Sequence, residues 1–207
     1  MSLEIIVFIG FVIAYILGSI PTAVWVGKRF YNIDIREHGS GNAGATNALR
    51  VLGTKTGIIV LLLDLLKGIA AIFVAYLFKN YFSSPEYFVM YQLLLGVIAL
   101  IGHMFPVFAN FNGGKGVATL AGIVLAIYPL VFLVCLGIFV SVFIPTRYVS
   151  LSSIAASIAF PVFVIFVFNV ELISKVVFSI LTAFILIVAH RKNIQRLIKG
   201  TENKIFF

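Results

Sequence analysis

GVATLAGIVLAIYPLVFLVCLGIFVSVFIP, residues 116–145, is the stretch on which the fold turns. It is apolar throughout and about 30 residues long, whereas one helical crossing of the hydrocarbon takes about 20. It reads as one long span or as two short ones broken near Pro129. The rest of the chain offers spans near 4–27, 54–78, 86–104, 150–168 and 173–190. Charge parity chooses between the readings. With one span across 116–145 the total is six. A tail carrying Arg191, Lys192, Arg196, Lys199 and Lys204 then falls opposite the basic first loop of Lys28 and Arg29. With two spans, near 116–128 and 130–145, the total is seven and the tail returns to the side of that loop. Twelve of the 15 basic residues then share one face, with Lys79 and Lys175 outside and Lys67 inside a span. Lys and Arg collect on the cytoplasmic side, so the second reading is preferred. The expectation is an all-α polytopic membrane protein of seven transmembrane helices, forming a single domain over 1–207. Two of the helices are short, the N-terminus is outside and the C-terminus is cytoplasmic. Helices of about 13–15 residues need neighbours around their ends, or a wet cavity beside them.

Composition agrees. Of 207 residues, 62% are hydrophobic and 11% charged, and Phe alone supplies 21. A soluble domain of this length cannot hide that much apolar surface. The same figures exclude a disordered chain and a disulfide scaffold. Cys135 is the one cysteine and lies in an apolar run, where it serves as packing material. The first apolar stretch is not a cleavable signal, because Glu4 precedes it and the basic residues follow it. The net charge of +8 finds its first explanation in topology rather than in nucleic acid, for which no partner role is expected.

The polar side chains fall into four segments, and this topology puts all four at the cytoplasmic face. They are 38–50, 102–119, 146–153 and 190–202. The first contains Gly39-x-Gly41-x-x-Gly44, the pattern of a dinucleotide fingerprint. No strand precedes it and no acidic residue lies about 20 positions on, so a nucleotide site is rejected. What survives is a glycine loop whose amides approach an anion closely. Ser40, Asn42, Thr46, Asn47 and Arg50 add donor side chains; a bland reading is a flexible turn between spans. The second segment, Gly113-Gly114-Lys115-Gly116, resembles a phosphate loop without being a Walker motif, since Ala109 and Gly116 stand where Gly and Ser or Thr are required. It opens a predicted helix, where free N–H groups, the positive dipole end and a lysine meet. Asp64 and Lys67 lie three apart on one helix face within a span, and read as a self-neutralising pair or as a functional site facing a cavity. His190, Asn193 and Arg196 share a face where the last span meets water. His38 and His103 look like loop and cap residues. No histidine pair has metal-ligand spacing and acidic residues are few, so no metal is expected.

Together these segments resemble a known family. Ser40-Gly41-Asn42-x-Gly44-x-Thr46-Asn47-x-x-Arg50 resembles the first signature of the bacterial acyl-phosphate:glycerol-3-phosphate acyltransferases. Gly102-His103-x-x-Pro106-x-Phe108, with Phe111-x-Gly113-Gly114-Lys115-Gly116-Val117-Ala118-Thr119, resembles the second. His190-x-x-Asn193-x-x-Arg196-Leu197-x-x-Gly200-x-Glu202 resembles the third. Gly18 to Thr22 and Asp64 to Gly68 also fit, and the likeness runs nearly end to end. It implies transfer of a fatty acyl group from acyl phosphate to the 1-hydroxyl of glycerol 3-phosphate, giving lysophosphatidic acid and phosphate. This is the first committed step of bacterial phospholipid synthesis, at the cytoplasmic face of the cell (inner) membrane. The partners implied are the two substrates, membrane lipid and the enzyme that makes acyl phosphate, with no cofactor. The His-x₄-Asp dyad of other acyltransferases is absent.

The residues suit that chemistry on their own terms. Two substrates bring two phosphates, and Arg50, Lys67, Lys115, Arg147 and Arg196 are the available cations. Acyl phosphate is already activated, so positioning and charge neutralisation supply most of the acceleration. The candidate catalytic residues are His190, Asn193, Ser40 and Arg50. The candidate binding residues are Asn42, Gly44, Thr46, Asn47, Lys67, Gly113, Gly114, Lys115, Gly116, Arg147, Ser150, Ser153 and Arg196. Glu202 is expected to pair with a motif arginine and hold the tail across the site. His190 as general base and the departing phosphate as proton acceptor both remain open. A transporter for a phosphorylated anion is the rival reading, disfavoured because the external connections near 80–85 and 169–171 are short and motif-poor.

Overall fold

The computed structural model describes residues 2–206, and among them every regular element is helical. The chain forms two compact units, Met1–Ala126 and Ile127–Phe207. The first holds α1 (Leu3–Ser19), α2 (Thr22–Tyr31), α3 (Ala45–Leu52), α4 (Thr54–Val74), α5 (Pro85–Met104) and α6 (Val117–Ile127, ending one residue past the boundary). The second holds α7 (Pro129–Thr146), α8 (Val149–Val162), α9 (Ile173–Ala189) and α10 (Arg191–Ile198).

Among the described residues, four helical stretches are long and apolar enough to cross a membrane: Thr54–Tyr81, Pro85–Ala109, Pro129–Thr146 and Val149–Val167. Two bent pairs, α1 with α2 and α9 with α10, raise that to six, and α6 is an apolar helix of 11 residues. The expectation of two short helices after residue 115 is corrected. The break falls at Tyr128, and Pro129 opens α7 where its missing N–H costs nothing. α7 then runs for 18 residues and is long enough by itself, so only α6 is short. The helix expected over 4–27 is bent rather than continuous. α1 and α2 meet at a 42° bend, because Pro21 has no N–H to give and holds Ile20 extended, at ψ 108°. α3, inside the segment read as a loop, was not expected.

In the first unit, glycines let helix backbones close on one another. A Cβ at Gly18 would strike the Ala99 carbonyl, one at Gly68 the Thr119 carbonyl, and one at Gly122 the Leu65 carbonyl. Between apolar helices in lipid, such close approach is what replaces a hydrophobic driving force. Ala14, Ala71, Tyr91, Leu95 and Ala99 form the core between α1, α4 and α5. Large side chains such as Phe8, Leu62, Leu66 and Phe73 stay exposed, as lipid-facing positions do.

In the second unit the core is aromatic. The Tyr128, Phe160 and Phe178 rings pack with centroids 5.4–6.4 Å apart, and the Tyr128 hydroxyl donates to the Lys175 carbonyl at 2.9 Å. Pro161 lies inside α8, and the turn that follows, Phe163–Val167, is a π-helix. Pro161 has no N–H to give, so α8 loses one i→i−4 bond there. Ser152, Ser153, Ser157, Ser179 and Thr182 donate to carbonyls three or four residues back in their own helices, which satisfies them without a partner helix.

Candidate active site

Each unit gathers its own set of polar residues. In the first, the loop 32–44 is shaped by its glycines and by Asn47. Gly39 and Gly41 sit at φ +61° and +70°, a region that side chains avoid. The Asn47 Oδ1 accepts the Ser40 amide at 2.8 Å, and its Nδ2 donates to the carbonyls of Ile35 at 2.8 Å and His38 at 3.0 Å. Asn47 is 1% exposed, so its amide is spent on the loop. Ser40 stands exposed, while Asn42 and Thr46 at the start of α3, which Gly44 caps, and Arg50 in its last turn are half-buried.

Asp34 and Arg36 tie this loop to the next. The Arg36 guanidinium donates to both Asp34 oxygens, at 2.9 and 2.6 Å, and to the Ala109 carbonyl at 2.9 Å. Hydrogen bonds from Arg36 hold the Asp34 carboxyl well below the usual carboxylate range, and Asp34 raises Arg36 in return. A cleft of about 560 Å³ opens there, lined by Asp34, Arg36, Gly41, Asn112 and Gly113, so residues of the first two motifs share one wall. Sequence reading missed Asp34 and Arg36 as organising residues. The Asp-x-Arg spacing before the glycine loop was the available signal.

The expectation of free amides at Gly113 and Gly114 is corrected. These amides donate to the carbonyls of Met104 and His103, both at 3.2 Å, so the end of α5 takes them up. The donors left at this loop belong to the first turn of α6, which no helix satisfies internally. Gly116, at φ +84°, turns the chain into that helix beside the half-buried Lys115.

Behind the loop lies a buried charge cluster. Asp64 and Lys67 are 1% and 7% exposed and pair at 2.9 Å. The Lys67 ammonium also donates to the Ile20 carbonyl at 2.9 Å. Two of its three N–H groups are thus committed to protein, which leaves one for anything else. Asp64 further accepts the Thr22 hydroxyl at 3.0 Å and faces His103 Nδ1 at 3.8 Å.

In the second unit the tail folds back on its own helix. Gly200, at φ +68°, donates to the Leu197 carbonyl at 3.1 Å, and Thr201 donates to the Arg196 carbonyl at 2.8 Å. This pair of bonds is the Schellman end of a helix, and glycine is the residue it favours. The turn aims Glu202 at α10. Its Oε1 accepts Asn193 Nδ2 at 2.6 Å and the Ser150 hydroxyl at 2.8 Å, and its Oε2 pairs with Arg196 Nε at 2.7 Å. Burial pushes the Glu202 carboxyl up, but the bonds from Asn193, Arg196 and Ser150 and the arginine charge outweigh it and leave it below its usual range. Ile205 then donates to the Arg147 carbonyl at 3.0 Å, and Lys204 covers the Tyr148 ring at 5.3 Å. The tail is thereby strapped to the α7–α8 junction, where Arg147 sits at φ +62°.

His190 occupies the 58° bend between α9 and α10 and is 3% exposed. Its Nδ1 lies 2.8 Å from the Leu186 carbonyl. A carbonyl only accepts, so Nδ1 donates to it, which fixes the tautomer of the ring whenever it is neutral. Ser153 donates into its own helix, to the Val149 carbonyl at 2.8 Å. The structure thus brings Ser150, Asn193, Arg196 and Glu202 together. It sets Asn47 and Ser153 to bonds within the protein.

The chain is similar to known proteins over nearly its whole length. A family model described as glycerol-3-phosphate acyltransferase matches residues 8–200. A glycerol-3-phosphate acyltransferase of Salinibacter ruber is 48% identical over 93% of this chain and 90% of its own. One of Geobacillus kaustophilus is 48% identical over 93% of each chain. Among solved structures, PlsY (YgiH), an integral membrane glycerol 3-phosphate acyltransferase in its glycerol 3-phosphate form, is 38% identical with a TM-score of 0.85. That match covers 97% of this chain and 96% of the other. The lysophosphatidic acid form of PlsY matches at 37% identity and a TM-score of 0.82, over 97% and 95%.

Proposed function

The chain belongs to the glycerol-3-phosphate acyltransferase family and is a multi-pass helical membrane protein, and from that premise we propose that acyl phosphate is its acyl donor. The 1-hydroxyl of glycerol 3-phosphate attacks the acyl carbonyl carbon. The carbon–oxygen bond to phosphate breaks, and lysophosphatidic acid and inorganic phosphate leave. This is the first committed step of phospholipid synthesis in a bacterial cell. The observation that carries the acceptor and product is the likeness to PlsY, solved in a glycerol 3-phosphate form and a lysophosphatidic acid form. The donor is supported by chemistry. Phosphate is a good leaving group, so the reaction needs no covalent nucleophile and no His-x₄-Asp dyad.

In this reading Arg50, Lys115, Arg147 and Arg196 neutralise the phosphates, with Ser40, Asn42, Gly44, Thr46 and Gly116 completing the hydrogen bonds. Asn47, Gly113, Gly114, Ser150 and Ser153 act from behind, by holding the loops, helices and tail that carry these groups. The departing phosphate, whose second ionisation lies near neutrality, takes the hydroxyl proton. His190 and Asn193 orient the acceptor. A second reading, His190 as general base, is favoured by the lone pair that its Nδ1–carbonyl bond assigns to Nε2 of the neutral ring. The working arrangement is seven spans, with the N-terminus outside, the C-terminus inside and the reaction at the cytoplasmic face of the cell membrane. The enzyme that makes acyl phosphate is then a natural partner.

The test is purified protein in lipid with acyl phosphate and labelled glycerol 3-phosphate. Lysophosphatidic acid and phosphate are expected to appear one for one, without nucleotide or added metal. Product from acyl-CoA but none from acyl phosphate would overturn the donor assignment.

A further inference from the structure

A buried ion pair needs a reason. Asp64 and Lys67 lie in the middle of α4 with their charges taken out of solvent. Desolvation offsets most of what such a pair gains, so stability alone is a weak explanation for keeping it. Its connections point elsewhere. Through Thr22 and the Ile20 carbonyl it holds the α1–α2 break. On its other side Asp64 Oδ1 faces His103 Nδ1, a buried nitrogen with no hydrogen-bond partner among the described residues.

His103 in turn carries the glycine loop. Its carbonyl accepts the Gly114 amide at 3.2 Å, and Met104 beside it accepts the Gly113 amide at 3.2 Å. The ring lies directly under Gly114, where an added Cβ would run into Nε2 and crowd the ring carbons. Gly114 is therefore a seat for the imidazole, and Lys115 is the next residue.

We propose that Asp64 and Lys67 position His103, and that His103 positions the loop Gly113–Gly116, so that all three serve the reaction without touching a substrate. This rests on the function proposed above for Lys115 and its neighbours. It assigns Lys67 to the support of the phosphate loop rather than to a phosphate.

The experiment measures two things on the full chain in lipid nanodiscs: amide exchange at Gly113 and Gly114, and KM for glycerol 3-phosphate beside kcat. Asp64→Asn, Lys67→Met and His103→Ala are each expected to speed exchange at the two amides. Each is also expected to raise KM by about ten-fold or more, with a smaller change in kcat, as for a displaced binding group. Gly114→Ala drives a methyl group into the ring and should raise KM likewise. His103→Ala combined with Gly114→Ala removes that collision, so its KM is expected to match that of His103→Ala alone. Two unconnected structural roles would instead multiply the two KM rises, which overturns the seating of the ring under Gly114. Should a single charge removal prevent folding, Asp64→Asn combined with Lys67→Met leaves no charge buried alone and is read instead, with the same expected exchange. Unchanged exchange at Gly113 and Gly114 in folded variants overturns the proposal, as does a normal KM where exchange has risen. If the wild-type chain does not acylate glycerol 3-phosphate from acyl phosphate, the proposed function falls. The exchange measurement then judges the positioning by itself.

Discussion

Glu202 collects three donors on one carboxylate, and its titration follows from them. Its pKa lies below the usual value of 4.5, so the folded protein holds the carboxylate more strongly than the unfolded chain does. That stabilisation is complete above the unfolded pKa and is lost as pH falls through the folded one. Glu202→Gln should lower the melting temperature above pH 4.5, by the equivalent of about 2 kcal/mol for bonds to a charged acceptor. The difference from wild type should close in acid. A stable but inactive Glu202→Gln protein would instead place the group in the chemistry. At His190, pH–rate profiles separate the two readings. A His base imposes an acid limb that vanishes in His190→Gln with most of the rate, whereas a positioning role leaves the limb and costs affinity for glycerol 3-phosphate. Arg50→Ala and Lys115→Ala should each lose more than about 2 kcal/mol of transition-state stabilisation, read from kcat/KM. Arg50→Lys should fail too if the guanidinium grips phosphate with two N–H groups. Near-normal Arg50→Lys would show that charge alone matters.

The helix ends do much of the placing. α10 is an eight-residue helix, and its Schellman turn brings Glu202 back over Asn193 and Arg196. Gly200→Ala is expected to cost about 1–2 kcal/mol for the left-handed conformation and to loosen the tail. Gly200→Asn should cost less, because asparagine tolerates that conformation. A melting series of the two variants checks the order, and equal loss would show that the conformation at 200 is not what matters. The bend at Pro21 works in the same way at the other end of the chain. The Ile20 carbonyl there accepts both the Thr22 amide at 3.0 Å and Lys67, a partner 47 residues away.

At the scale of the whole molecule the prediction is topological. With Cys135 replaced by alanine, a cysteine at Thr201 should stay shielded from an impermeant thiol reagent in intact cells, while one at Asn80 should label. Both positions are exposed in the structure, so burial does not account for a difference. Labelling at Thr201 from outside would sink the seven-span arrangement. The odd count depends on α6 crossing with its neighbours' help, since 11 residues fall short of the hydrocarbon thickness.

The membrane class, the apolar helical stretches, the break before Pro129 and the three motifs in order were legible in the sequence. Each is a local property. Apolar run length, proline chemistry and motif spacing need no knowledge of what a residue touches. Partners close in the chain were legible: Asp64 and Lys67 read as a pair, and Glu202 was expected on a motif arginine, which is Arg196. Partners far apart in the chain were not. Asp64 meets Thr22 across 42 residues and Glu202 meets Ser150 across 52, and neither separation carries a period that sequence reading detects. Gly113 and Gly114 read as free anion-binding amides until the end of α5 was seen to take them. Asn47 read as a ligand until its amide was found spent on the loop. Sequence by itself determined which polar residues this protein has and in which segments. Only tertiary structure decided which of them bond to one another, because a hydrogen bond is settled by distances of a few tenths of an ångström that helix packing alone sets.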